Sequence, residues 1–385
     1  MTPPIFIGIM SGTSADGIDV ALVSCSDQSC GNQNKLIHFS EFPMPAPLRK
    51  AILHLASPSP EEIDRMGKTD RALGLAYADA ALAAIQQAGL RPSAISAIGC
   101  HGQTIRHRPE CEQPFSLQIG CAATLAEKTG LTIVSNFRSR DIAAGGQGAP
   151  LVPFAHRQLF SSRQHNIAIV NIGGIANLTC LARDGSTTGF DTGPGNMLMD
   201  GLMLNISEGR ETFDRDGKLA ASGHLCEALL AQLMAHPFLA RTPPKSTGRE
   251  MFGQDMIQQI INWPNISHAD RMATACSFTV ETIAASMQWL QEKPDKWFIC
   301  GGGVRNQYLM RLLQDKLAPT PVRSTDTIGM PAQAVESISF ALLARHTLTG
   351  SHNTLSAVTG ATHDVCGGQI TPGNNWPDLL RTMLD

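Results

Sequence analysis

One pattern occurs twice in this chain of 385 residues and limits what it can fold into. Ile5-Phe6-Ile7 is a short apolar strand that runs into Gly8-Ile9-Met10-Ser11-Gly12-Thr13-Ser14-Ala15-Asp16-Gly17, and Ile18-Asp19-Val20 begins a second strand. Ile167-Ala168-Ile169-Val170 runs likewise into Asn171-Ile172-Gly173-Gly174-Ile175-Ala176-Asn177 and then into Leu178-Thr179-Cys180-Leu181. A strand, a glycine turn and a strand at the start of each half describe two related hairpins opening two similar halves. A chain of this length accommodates two domains, at roughly 150–200 residues each.

The first turn has the chemistry of an anion cradle. Glycine lets a backbone come close to a bulky anion and adopt positive φ. Ser11, Thr13 and Ser14 add hydroxyl donors, and successive N–H groups in such a turn form a concave anion site. It is not a Walker A loop, because no Gly-Lys-Ser/Thr closes it. It is not a dinucleotide fingerprint, because a strand rather than a helix follows. A third glycine turn, Gly301-Gly302-Gly303-Val304-Arg305-Asn306, follows the strand Trp297-Phe298-Ile299-Cys300 and opens a helix from Asn306 to Lys316. A lone glycine turn is most often a plain hairpin or bulge. Three of them, each after an apolar strand, predict a nucleotide clamped between two lobes, with a hairpin of each lobe at its phosphates and the third turn at base and ribose.

Other motifs bring polar side chains to strand ends, where α/β sheets carry their sites. His101-Gly102-Gln103-Thr104 follows Ile95–Gly99, and Ser135-Asn136-Phe137-Arg138-Ser139-Arg140-Asp141 follows Leu131–Val134. Arg138 or Arg140 can hold a carboxylate through a bidentate contact; the alternative is a surface loop with a solvated salt bridge. His107 and Arg108 read as solvated. In Gly189-Phe190-Asp191-Thr192-Gly193-Pro194-Gly195-Asn196, Asp191 stands between a strand and a helix from Met197. There it either caps the helix or serves as a general base kept ionised by the helix N-terminus. Helices are predicted over 64–88, 225–235, 269–291 and 331–347, the last with Pro331 in its first turn. Glu336 lies within that helix's apolar face, where a carboxylate is paired or functional. The last forty residues show no clear periodicity. Ala143 to Pro150 is a glycine-rich stretch that reads as a crossover or hinge, giving an N-terminal lobe 1–140 and a C-terminal lobe 141–385 that close on nucleotide.

A net charge of −3 without a basic stripe argues against nucleic acid as a partner. No apolar run approaches the roughly 20 residues of a spanning helix, and Met1-Thr2-Pro3-Pro4 has no positive n-region, so a cytoplasmic location is expected. The ten cysteines form no Cys-x-x-Cys pair and read as reduced thiols, Cys25 and Cys30 being the closest two. No histidine or cysteine cluster marks a metal site. Mg²⁺ carried with a nucleotide needs few protein ligands, for which Asp16, Asp19 and Asp191 are candidates.

The run Met10 to Asp19 resembles the signature of the anhydro-N-acetylmuramic acid kinases. The similarity continues through His101-Gly102-Gln103-Thr104, Asn136-Phe137-Arg138, Asn171 to Leu178, Phe190 to Asn196, Cys300 to Asn306 and Pro331-Ala332-Gln333-Ala334-Val335-Glu336, nearly the whole chain. The resemblance implies a two-lobed actin-like ATPase (ribonuclease H-like) α/β fold with a nucleotide cleft. It implies a cytoplasmic, homodimeric kinase of peptidoglycan recycling that uses ATP, Mg²⁺ and water to convert 1,6-anhydro-N-acetylmuramic acid to N-acetylmuramic acid 6-phosphate. Carried onto this chain, it makes Asp191 the base and Glu336 a second carboxylate at the substrate. It puts Gly12, Thr13, Ser14, Ala15, Asp16, Gly17, Ile18, Asp19, Asn171, Gly173, Gly174, Asn177, Gly301, Gly302, Gly303 and Asn306 at the nucleotide. His101, Gln103, Asn136 and Arg138 fall at the sugar, with Arg138 on its lactyl carboxylate. Where the wider superfamily often has a magnesium-contacting Asp, this chain has Met10, which leaves the metal ligands open. The competing readings are another amino-sugar kinase on the same fold and a non-catalytic, ATP-gated binding protein.

Overall fold

In the computed structural model, which describes residues 3–12, 14–25, 34–55 and 60–384, the opening run folds into a meander. β1 (Ile5–Met10) turns back on β2 (Gly17–Ser24), with Met10 opposite Asp19, and β2 turns back on β3 (Lys35–Pro43). β4 (Ile95–Cys100) and β7 (Ile133–Ser135) extend the sheet in parallel on the other side of β1. β5 (Gln103–Arg108) and β6 (Phe115–Ile119) form a separate hairpin between them in sequence. β13 (Gln369–Thr371) completes the order β13-β7-β4-β1-β2-β3. Thr13 and Cys30 lie outside the described residues; every described cysteine is free.

The second sheet repeats the scheme. β8 (Ile167–Ile172), β9 (Ile175–Leu181) and β10 (Thr187–Pro194) form an antiparallel meander. β11 (Lys296–Cys300) and β12 (Val322–Ser324) follow in parallel beyond β8. Its order, β10-β9-β8-β11-β12, matches the order β3-β2-β1-β4-β7 of the first sheet strand for strand. The repeated α/β scheme is therefore present, in the strand order of the actin-like ATPase fold. Each sheet has its own core, one built around Ile7, Val20, Leu73, Tyr77 and Ile98 and the other around Val170, Leu178, Phe190, Phe278 and Trp297. No described helix is long and apolar enough to cross a membrane.

The contacts group residues up to Leu159 with those from Ala334 onward, and leave Phe160–Gln333 as the second unit. The chain thus leaves the first unit later than position 140 and returns to it. The return is built by the helix Val335–Leu348, which packs on β1 and β4, and by β13 pairing with β7. Two glycines permit that packing. A Cβ on Gly8 would stand 1.7 Å from the Ser337 carbonyl oxygen, and one on Gly99 2.1 Å from that of Phe340. Gly8 therefore serves helix packing rather than an anion turn.

The stretch 143–150 lies within the first unit and is tied down there, so the two units are not joined at it. Gly146 N–H donates to the Asp141 carbonyl (2.9 Å), Gln147 N–H to that of Thr359 (2.9 Å), and Gly148 N–H to the Asp141 carboxylate (2.8 Å). Asp141 is fully buried and also accepts from the Thr359 hydroxyl at 2.7 Å. The glycines here make room: a Cβ on Gly146 would lie 2.3 Å from Asp141 Oδ2. The helix expected from 331 begins at Val335, because Gly301 N–H and the Gln333 side chain hold residues 332–333 against the third glycine turn. The helix predicted over 269–291 ends at Ala285 and continues as a short 3₁₀ turn, Ser286–Trp289.

Candidate active site

In the first unit, three carbonyls of the turn after β1 are taken up by hydrogen bonds from the protein. Gly12 O accepts from Ala15 N–H (3.0 Å) and from Gln103 Nε2 (3.1 Å); Asp16 O accepts from Met44 N–H (3.0 Å), and Ser14 O from Arg49 Nε (3.4 Å). Ser11 bonds the buried Tyr77 hydroxyl at 2.7 Å, and the Ser14 hydroxyl donates to Asp16 Oδ1 at 2.7 Å. Carbonyl oxygens repel phosphate, so a turn that buries them presents its other face to an anion. Ala15 holds φ 50° and is buried. Ile18 is a core residue, so only its backbone can reach a ligand. Gly17 starts β2, and Asp19 is half-buried opposite Met10, whose own side chain is buried and cannot approach a metal.

Gln103 is 1 % exposed. Its Nε2 donates to the Gly12 carbonyl, while its Oε1 is buried without a partner. Arg138 directs Nε (3.2 Å) and Nη2 (2.8 Å) at His101 Nε2, and Nη1 at the Gly148 carbonyl (2.7 Å). The edge that grips a carboxylate bidentately is thus already on the imidazole. Because Nε2 accepts, the His101 proton sits on Nδ1, which is buried. Burial, then the Arg138 charge, push the His101 pKa well below its ordinary value, so the ring is neutral. His101 stacks on Phe340 at 4.7 Å. His101 and Asn136 line a cavity of about 370 Å³ with Asp70, Ser116, Gln118 and Ser139. Asn136 takes a left-handed conformation (φ 51°) and accepts from the Ser139 hydroxyl at 2.6 Å. His107, expected in solvent, bonds Ser116 at 3.0 Å, and burial pushes its pKa down to about 4. Glu336 lies in the first turn of Val335–Leu348, where the helix dipole favours a carboxylate. It is half-buried between Val335 and Ser337, which are buried.

In the second unit, Cys300, Asn171, Asn177 and Asp191 stand at one level across β11, β8, β9 and β10. Directly paired residues share a face, so the two Asn carboxamides and the carboxylate form a polar row. One oxygen each of Asn171 and Asn177 is buried without a partner. Asp191 is 8 % exposed and sits where the β9–β10 register slips, between Asp191 and Gly193. It does not cap the following helix: Asn196 holds the cap position of Met197–Ile206. What holds Asp191 is a loop the sequence did not single out. Its N–H donates to the Lys245 carbonyl (3.1 Å), and Thr247 N–H donates to its Oδ2 (2.8 Å). A lysine in Pro243-Pro244-Lys245-Ser246-Thr247-Gly248 carries no local mark of burial.

The second turn also turns its carbonyls inward, Gly174 O to Gly195 N–H (2.8 Å) and Gly173 O to Asn196 N–H (2.8 Å). In the third, Gly301 (φ 79°) needs its missing side chain, since a Cβ would lie 2.3 Å from Asn171 Oδ1; on Gly303 it would meet Ile172 at 2.5 Å. Asn306, expected at the nucleotide, is the N-cap of Gln307–Leu317, its Oδ1 taken by Leu309 N–H (2.9 Å). Gly12, Gly173 and Gly302 differ from these. None has positive φ, and the nearest atoms to a Cβ there lie 3.8, 3.7 and 3.5 Å away, ordinary contact distances. The chain's own packing does not require glycine at these three turn positions. They fit a bound group that comes against the backbone.

Among the described residues no three His, Cys, Asp or Glu side chains cluster as metal ligands. A cation carried by phosphate oxygens and waters needs few protein ligands.

The sequence matches the family described as anhydro-N-acetylmuramic acid kinase over residues 4–373. The chain belongs to this family. It is 43 % identical over 371 residues to the anhydro-N-acetylmuramic acid kinase of Xanthomonas campestris pv. campestris, spanning 96 % of this chain and 97 % of that one. Identity to the enzyme of the same name from Nitrosomonas europaea is 42 % over 367 residues (95 % and 99 %), and to that from Vibrio cholerae 40 % over 358 residues (93 % and 95 %). Among solved structures, the activator of the 2-hydroxyisocaproyl-CoA dehydratase from Clostridium difficile aligns at 12 % identity and a TM-score of 0.42, over 88 % of this chain and 94 % of that one. That likeness is too distant to bear on the site.

Proposed function

We propose that this chain performs the reaction its family is named for. ATP and water convert 1,6-anhydro-N-acetylmuramic acid to N-acetylmuramic acid 6-phosphate and ADP, in peptidoglycan recycling. Family membership supports the reaction class. The observation that carries the nucleotide assignment is the trio Gly12, Gly173 and Gly302, glycines that the fold itself does not need.

The substrate sets the chemistry. Its O6 is tied into an ether bridge and has no proton to lose, so a base has nothing to do there. In this reading Asp191 takes a proton from a water molecule, whose oxygen bonds to C1. The C1–O6 bond breaks, O6 bonds to the γ-phosphorus, and the bond from that phosphorus to the ADP oxygen breaks. The proton ends on the Asp191 carboxylate. Thr247 N–H fixes one oxygen of that base. General-base assistance supplies roughly 10²–10⁴-fold; positioning and charge stabilisation supply the rest. The turns at Gly12, Gly173 and Gly302 each offer open backbone to a phosphate. Mg²⁺, held mostly by phosphate oxygens, supplies charge neutralisation when bound. His101 and Asn136 contact the sugar from the 370 Å³ cavity. Arg138 reaches the lactyl carboxylate only by giving up part of its grip on His101, and Glu336 orders a water or hydroxyl. We take the enzyme to be a cytoplasmic homodimer.

Two measurements test this. Turnover in ¹⁸O-water should place label at C1 of the product, and N-acetylglucosamine should not substitute for the anhydro sugar. Asp191→Asn should still bind both substrates and lose on the order of 10²–10⁴-fold in kcat. Near-normal turnover by that variant removes the base assignment.

A further inference from the structure

Among the described residues Lys245 is the only buried lysine or arginine, 5 % exposed. Lysine is almost never fully buried unless its charge is compensated. Neutral compensation here is thin. Nζ has two carbonyl acceptors, Phe238 and Leu239, both at a long 3.4 Å. It lies over the rings of Phe238, Phe190 and Trp289 at 4.8, 5.7 and 5.8 Å. The charges that act on it are two: Asp191 on β10, favourably, and Arg241 on its own loop, unfavourably. The helical segments facing it bring Leu239, Thr282, Ser286, Gln288 and Trp289, none of them charged.

The same loop grips Asp191 at two further points, with the Lys245 carbonyl on its N–H and Thr247 N–H on its carboxylate. We propose that Lys245 is a positioning residue for Asp191, its buried ammonium seating the loop whose residues 245–247 fix the aim of that carboxylate. The inference rests on the reading of Asp191 as the base. It explains a costly placement: a methionine fills the same aromatic cage without the desolvation of a charge. Burial pulls the lysine pKa down to about 8, with the Asp191 charge resisting that fall.

The test is a double-mutant cycle on the full-length protein, with kcat and both KM values measured for Lys245→Met, Lys245→Arg, Asp191→Asn and Asp191→Asn/Lys245→Met. Lys245→Met should lose about 10–100-fold in kcat, a part of the general-base contribution, with each KM within about threefold. Lys245→Arg should restore most of that loss, because it keeps the charge. In the Asp191→Asn background, Lys245→Met should cost nothing further. A kcat within threefold of wild type in Lys245→Met overturns the proposal, as does an equal loss in the Asp191→Asn background. If Lys245→Met and Lys245→Gln both fail to fold, the residue is structural and the proposal is again overturned. Failure of the base reading looks different: Asp191→Asn by itself would then turn over normally.

Discussion

Alanine at the glycine turns separates glycines kept for a ligand from glycines kept for the fold. At Gly12, Gly173 and Gly302 a methyl group meets nothing closer than 3.8, 3.7 and 3.5 Å. At such sites Gly→Ala narrows the unfolded ensemble and stabilises by about 0.4–1 kcal/mol. The melting temperature should therefore hold or rise by a few degrees, at ~2–4 °C per kcal/mol in a chain this large. The nucleotide should be affected differently. A Cβ projects about 1.5 Å from its Cα, enough to push a phosphate oxygen out of hydrogen-bond range of the turn. Loss of one hydrogen bond to a charged group costs about 1.5–3 kcal/mol. That is roughly a 10- to 150-fold rise in the KM for ATP at 1.36 kcal/mol per decade.

Gly8→Ala is the control of opposite sign. Its Cβ would lie 1.7 Å from Ser337 O and 2.7 Å from Ala341 N, so helix Val335–Leu348 must shift. Overpacking of this kind costs typically about 1–3 kcal/mol, and the KM for ATP of the folded fraction should change little. The assays are ATP titration at saturating anhydro sugar and differential scanning fluorimetry of the same preparations. If all three open-position alanines bind ATP as wild type does, the argument from unneeded glycines fails and the nucleotide lies elsewhere.

Acid should destabilise the protein through its buried imidazoles. Burial lowers His156 to about 3 and His107 and His346 to about 4. The folded state then binds fewer protons than the unfolded one, so stability is full above pH ~6.5 and falls as pH drops toward these values. His156 alone accounts for about 2 kcal/mol of loss by pH 5 at 1.36 kcal/mol per unit; the two partly solvated rings contribute less. Urea unfolding from pH 7 to 4.5 should show the slope, and His156→Gln should flatten it; an unchanged slope in that variant excludes His156 as its source. Asp141→Ala should cost about 2–4 kcal/mol, because the Thr359 hydroxyl and Gly148 N–H both lose their acceptor. The folded variant should keep its KM for ATP, whereas a hinge at 141–150 would show up as altered turnover.

The elements that local pattern dictates were legible in the sequence. Apolar strands broken by glycine turns marked β1–β2, β8–β9 and the end of β11, and Gly89 closed the long helix Glu62–Gln87. What could not be read depends on which distant segment packs against a residue. Gly8 and Gly99 are small because of Ser337 and Phe340, and residues 143–150 are glycine-rich because Asp141 and Thr359 bind them. A glycine needed for helix packing and one needed for a ligand look the same in a sequence. Lys245 carried no sign that Phe190, Phe238 and Trp289 would enclose it, as these lie up to 55 positions away in the chain.

The turns also share a feature that spacing does not reveal. Each has a side-chain carboxamide donating to a carbonyl at its base: Gln103 Nε2 to Gly12 O at 3.1 Å, Asn196 Nδ2 to Ile172 O at 3.2 Å, and Gln333 Nε2 to Gly301 O at 3.0 Å. A turn meant for an anion must keep its carbonyl dipoles away from it, and each such carbonyl needs a donor on the protein side. A neutral amide orients the peptide without competing for the charge. Gln103, expected from the sequence at the sugar, has its amide nitrogen on the backbone of the turn.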